Sequence, residues 1–126
     1  MKTGARLIRE ERERQIGSEG FTFAHDDEHD NGQLATAAAC YAAPFQLFQM
    51  NHGAEEIQFQ DPWPFERRWD GRRRLANGYR ADFRRVPTAI TPKERIRELV
   101  KAGALLAAEI DRINRTMKRS KPKQVK

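Results

Sequence analysis

Cysteine is nearly absent. Cys40 is the only one in 126 residues, so no disulfide can form within the chain. That usage fits a reducing compartment such as the cytosol. No run of roughly 18 apolar residues occurs, which predicts no transmembrane helix, and the opening "MKTGARLIREERERQ" has no continuous apolar region of the kind a secretory leader needs. Apolar residues are sparse, at 38% against 33% charged. A chain of this length fits one domain with a modest core, and this polarity predicts poorly packed segments beside it. A glycine-rich phosphate loop is missing too: "GRRRLANG" has neither the lysine nor the spacing. Nucleophilic catalysis has little support. Cys40 falls in an alanine-rich stretch where a thiol acts as a small hydrophobe, and Ser18 and Ser120 have no motif around them.

Charge is plentiful but divided. Residues 1–61 hold 5 Lys/Arg and 11 Asp/Glu, whereas residues 62–126 hold 19 and 7, so a net −6 half precedes a net +12 half. The basic half can meet a polyanion, or it can meet the acidic half of its own chain or of a second copy.

The spacing of apolar residues predicts a mainly α protein: a small helical domain of about three helices over 1–117, followed by a basic, flexible tail at 118–126. The first helix is expected over 4–17. Ile8, Arg12 and Ile16 share one of its faces, so Arg12 sits on the stripe that should meet the core and needs a carboxylate partner there. Phe21 and Phe23 read as aromatic plugs of that core. The second helix is expected over 31–43, with Asp30 as its N-cap, Gln33 as the reciprocal partner and Pro44 closing it. "EIQFQ" at 56–60 alternates weakly and reads as a short strand or one arm of a hairpin. Residues 62–91, broken by prolines and glycines, read as a long Arg- and aromatic-rich loop, with room for a short helix at 79–85. The third helix starts at Thr91 as N-cap, Pro92 as first helical residue and Glu94 as box partner. Ile96, Leu99, Gly103, Leu106, Ile110, Ile113 and Met117 then follow at steps of 3 and 4, one apolar seam through about seven turns. The second and third helices are both rich in small residues (Ala35, Ala37, Ala38, Ala39; Ala102, Gly103, Ala104, Ala107, Ala108), which predicts that they pack closely on each other.

Two stretches carry candidate chemistry. The first is "HDDEHDNG", residues 25–32. His25 and His29 would share a helical face, as would Asp26 and Asp30. Imidazole and carboxylate at that spacing can hold a divalent metal, with Glu109 or His52 as a further ligand: the metal set under this reading is His25, His29, Asp26 and Glu109. The plainer readings are capping, and pairing of Asp26 or Asp27 with Arg12. His-Asp metal phosphohydrolases share the dipeptide, but they need further ligands on well-separated helices. The second stretch, 63–85, has eight arginines (Arg67, Arg68, Arg72, Arg73, Arg74, Arg80, Arg84, Arg85) interleaved with Trp63, Phe65, Trp69, Tyr79 and Phe83. Arginine forks bind phosphates and aromatic faces stack on bases. Against this stands a structural alternative: the tryptophans close the end of a small core while the arginines face water or the acidic half.

"ERERQIGSEGF", "HDDEHDNGQLATAAACYA", "WPFERRW" and "LVKAGALLAAEIDRINR", in this order, resemble a family of small bacteriophage- and prophage-encoded proteins. The matching pieces cover roughly half of the chain, and the departure lies between Asp70 and Thr91. The resemblance implies a cytoplasmic protein of an infected or lysogenic cell, and marks Glu11, Arg12, Arg14, Gln15, His25, Asp26, Asp27, His29, Tyr41, Trp63 and Glu109 as motif positions. It brings no settled activity. The paired acidic ladders of the all-helical nucleotide pyrophosphatases are missing. The reading that follows is an accessory binding protein for a polyanion, nucleic acid or nucleotide, needing no cofactor. The candidate cluster is Arg12, His25, Asp26, Asp27, His29 and Glu109, and the candidate polyanion surface is the arginine stretch with Trp69. One alternative is a metal-dependent hydrolase of a phosphate-containing substrate. Another is an inhibitor of a host protein, or a homo-oligomer, acting through complementary charge.

Overall fold

The computed structural model describes residues 1–18, 23–44, 46–72 and 91–120. The protein is mainly helical, with α1 (Gly4–Ser18), α2 (Phe23–Asp27), α3 (Gln33–Ala42) and the long α4 (Pro92–Ser120). Between α3 and α4 lie an antiparallel hairpin, β1 (Gln49–His52) with β2 (Ile57–Gln60), and a single 3-10 turn at Arg67–Trp69. No described helix is long and apolar enough to cross a membrane.

The expected contact between the two alanine-rich helices is the centre of the fold. Ala37 and Ala38 of α3 and Ala102 and Ala108 of α4 are all but fully buried, with Leu34, Cys40, Tyr41 and Leu105 around them and Trp63 closing one side. Small side chains let the two axes approach closely, but they bury little area each. Arg95 ties the helix ends together. Its guanidinium donates to the carbonyls of Tyr41 (3.0 Å), Ala42 and Ala43 (3.4 Å), satisfying the last turn of α3.

The caps divide into one as expected and one displaced. Thr91 Oγ1 accepts from the Glu94 N–H at 3.1 Å and its hydroxyl meets Glu94 Oε1, so α4 starts where its sequence says. On α3 the N-cap is Gly32, not Asp30. Gly32 has φ 77°, a conformation that suits a residue without Cβ, and no side chain caps it. Gln33 still reaches back, accepting from the Asn31 N–H at 2.7 Å. Asp30 itself is exposed.

The apolar seam of α4 is not where that helix meets the protein. Its packed positions are Glu98, Ala102, Ala104, Leu105, Ala108 and Glu109, whereas the seam's large side chains lie outside. Only Gly103 is covered there, by Ile8 of α1. Phe23 is exposed as well, its ring lying against Arg115 of α4 in place of the core. The hairpin is confirmed and larger than one strand, with Met50 opposite Phe59 and His52 opposite Ile57. The short helix expected at 79–85 falls outside the described residues.

A Cβ on Gly103 would sit 2.5–2.7 Å from Ile8 Cδ1 and Cγ1. Gly103→Leu should therefore overpack the α1–α4 contact and cost about 1–3 kcal/mol in denaturant unfolding. A neutral result would mean that α1 is free to shift on α4.

Candidate functional site

Of the acidic stretch only residues 25–27 are helical, in the short α2, so His29 and Asp30 are not on a helix with His25 and Asp26. The side chains of the stretch go to different partners. Among the described residues Asp26 is the largest side chain that is fully buried, and it accepts from Arg12 Nη2 at 2.7 Å. Both side chains are at least nine-tenths buried. This is the partner that the place of Arg12 between Ile8 and Ile16 demanded. Arg12 Nε and Nη1 have no hydrogen-bond partner among the described residues, so its desolvation is only partly compensated. Asp27 turns the other way, accepting from Arg115 (2.8 Å) and Arg119 (2.7 Å) near the end of α4. Glu109 is buried and accepts from Arg112 Nε at 2.5 Å. The cluster of Arg12, His25, Asp26, Asp27, His29 and Glu109 thus divides. Among the described residues no group of three or more His, Cys, Asp or Glu stands close enough to hold a metal ion. His52 lies on the exposed hairpin.

What does converge is a cavity of about 790 Å³ between α1, α2, α3, the 63–71 loop and α4. That size falls in the range of small-ligand sites. One wall is a chain of edge-to-face rings. His25 meets His29 (4.9 Å between centroids), His29 meets Phe65 (4.9 Å), Phe65 meets Trp63 (5.8 Å) and Trp63 meets Tyr41 (5.6 Å). Such pairs are each worth about 0.5–1.5 kcal/mol beyond burial. Glu11, Arg14 and Gln15 of α1 and Lys101 of α4 complete the lining. Glu11 accepts from Arg14 (2.6 Å) and from Gln15 Nε2 (3.2 Å). Gln15 is buried, yet its Oε1 has no hydrogen-bond partner among the described residues. Lys101 lies over the Tyr41 ring at 5.6 Å, and the Tyr41 hydroxyl accepts from the Gly71 N–H at 3.0 Å. Neither Asp27 nor Glu109 lines the cavity, whereas Glu11, Arg14, Gln15, Tyr41 and Trp63 do. These last are motif positions of the resemblance. Phe65, Trp69 and Lys101 lie in the same quoted stretches, but no spacing in the sequence brings 65, 69 and 101 together.

The described part of the arginine stretch is largely occupied internally. Arg72 is buried under the Trp63 ring (4.9 Å) and donates to Asp61 (2.7 Å) and Asp70 (2.8 Å). Burial alone would lower its pKa, but the two carboxylates outweigh it and hold the guanidinium firmly charged. Arg67 donates to Asp61 at 2.6 Å, and Arg68 meets Glu66 at 2.8 Å and lies over the exposed Trp69. Arg73, Arg74, Arg80, Arg84 and Arg85 lie outside the described residues, as does the tail from 121 on.

Titration follows the same geometry. Burial pushes the pKa of His29 down, and the charge of His25 adds to that, against weaker opposition from Glu28 and Asp26. Burial raises Glu11 and Asp61, but Arg14 overrides it at the first and Arg72 with Arg67 at the second, so both end below the usual carboxylate range. Burial raises the Cys40 thiol and the Tyr41 phenol, leaving both neutral.

No family model, curated protein or solved structure matches this chain.

Two outcomes are expected. Removing Arg12 leaves Asp26 buried without its partner, so Arg12→Ala should lose about 3–5 kcal/mol, while Arg12→Met with Asp26→Leu should recover much of the loss. Urea titrations of the three proteins check this, and an unchanged R12A midpoint would contradict it. The second concerns pH. Below the ordinary histidine value of 6.5 the unfolded chain binds a proton that folded His29 resists, so stability should begin to fall there as pH drops. It should fall again as pH passes below about 4, where unfolded carboxylates protonate before Glu11 and Asp61 do. His29→Asn should remove the first step only. A melting temperature flat from neutral pH to about 3 would contradict both.

Proposed function

We propose that this protein is a nucleotide-binding accessory protein of the small phage-encoded kind it resembles, with the ligand held in the cavity between α1, α3 and α4. One observation carries the reading: a cavity sized for a small ligand joins an aromatic wall to cationic side chains and to an unpaired, buried amide oxygen at Gln15. A base offers a flat π face to Trp63, Phe65 and Trp69 and N–H donors to Gln15 Oε1 and Glu11. A phosphate group suits Arg14, Arg68 and Lys101. Within the polyanion class, a single nucleotide is favoured over a nucleic-acid chain. Among the described residues, Arg67 and Arg72 are already engaged with Asp61 and Asp70.

Titrating the protein with nucleoside mono- and triphosphates, read through tryptophan fluorescence and calorimetry, tests the reading. Saturable binding is expected. Trp69→Ala should weaken it by about 1–3 kcal/mol through lost stacking, and Lys101→Ala by about 1.5–3 kcal/mol through a lost charge-assisted bond. No binding at millimolar nucleotide, with salt-dependent binding of oligonucleotides instead, would move the ligand to nucleic acid and the arginine stretch. Phosphate release on adding a divalent cation would move the reading to hydrolysis at His25 and Asp26.

A further inference from the structure

What the cavity leaves unexplained lies on the other side of α4. Ile96, Leu99, Leu106, Ile110, Ile113 and Met117 are each between 43% and 59% exposed, and they form one continuous row. With Gly103 they repeat at steps of 3 and 4, a strict heptad over the helix. A seven-residue repeat is the pattern of a helix that meets another helix along its length, knobs into holes. Yet α3 packs on α4 at other positions, against Ala102, Leu105 and Ala108, and Ile8 of α1 meets the row at Gly103. Among the described residues Ile8 covers Gly103 in the middle of the row, and the six large side chains stay about half exposed.

We propose that this outward face of α4 is where a second copy of the chain docks, row against row and antiparallel. The observations favour a copy of the same chain because an isologous contact needs one self-complementary patch, and a heptad row is complementary to itself. The area is adequate. Six half-exposed side chains offer on the order of 500 Å² of apolar surface per chain, and a polar rim brings this toward the roughly 800 Å² per partner of a standard stable interface. Asn114 and Lys118 flank the row and supply that rim. Charge selects the sense. Lys118 and Arg119 stand in the last turn of α4, so a parallel pair would set two basic ends side by side, whereas an antiparallel pair separates them and opposes the helix dipoles. In that sense Ile96 of one copy faces Ile113 of the other. The proposal does not rest on the ligand reading, because the cavity opens on the opposite face of α4, lined by Lys101, Leu105 and Ala108.

Sedimentation of the full chain over a concentration series tests it. Wild type is expected to run as a dimer that dissociates on dilution. Leu106→Glu with Ile113→Glu should weaken the dimer by about 100-fold or more, with helicity unchanged because both side chains are exposed. In a second test, Ile96→Cys and Ile113→Cys proteins are mixed and oxidised; a disulfide is expected in the mixture and not in either protein alone, Cys40 being buried. That mixture decides the question even if the double glutamate variant loses its fold. Wild type running as a monomer throughout, a dimer indifferent to the glutamates, or Ile113→Cys linking to itself would each overturn the proposal.

Discussion

The close approach of α3 and α4 through alanine is the constraint on which the rest of the structure depends. Ala37, Ala38, Ala102 and Ala108 leave no room between the two helices, and the contact spans α3 from Leu34 to Tyr41. The same smallness limits what the contact can contribute. Each buried methyl removes little apolar area, so the two helices make a thin core for a chain of this length. Leu105, Tyr41 and Trp63 enlarge it on one side only.

A thin core leaves the remaining segments to be held by charge. Arg12 of α1 anchors α2 through Asp26, Asp27 anchors α2 to α4 through Arg115 and Arg119, and Arg72 anchors the 61–72 loop through Asp61 and Asp70. These contacts are directional and specify a position more than they add net stability, since burying an ion pair offsets much of its Coulomb gain. The exposed pair of Asp27 with Arg119 adds little more than orientation. Walls placed by such bonds need not collapse onto one another. That is a physical reason for a cavity of this size to stand open beside so small a core.

Helix α4 then serves as a two-faced spine. One side carries Lys101, Leu105 and Ala108 to the cavity, and the other carries the exposed heptad row. Between them lie the lines of contact with α3 and α1. A small-residue interior and a bulkier apolar exterior on one helix invert the usual arrangement of a surface helix. The inversion follows from which face the alanines occupy, because they admit α3 more closely than the bulkier row could.

Local signals in the sequence determined the elements. Thr91, Pro92 and Glu94 set the start of α4, the small-residue faces set its pairing with α3, and Ile8 and Ile16 put Arg12 where a carboxylate had to meet it. Periodicity could not say which of two candidate faces of α4 turns inward. It registers apolar content, and the seam is the more apolar face, but close packing rewarded the smaller one. Sequence spacing placed His25, Asp26, Asp27 and Glu109 in one candidate cluster, whereas the tertiary structure sent Asp27 to Arg115 and Glu109 to Arg112. It brought Phe65, Trp69 and Lys101 to Gln15 and Tyr41 instead. Contacts of that kind join residues dozens of positions apart, and only the packed backbone brings such side chains within reach of one another. The sequence by itself therefore decided the three longer helices and the need for a buried ion pair, while α2 and the shape and lining of the cavity were decided by how those helices came to lie.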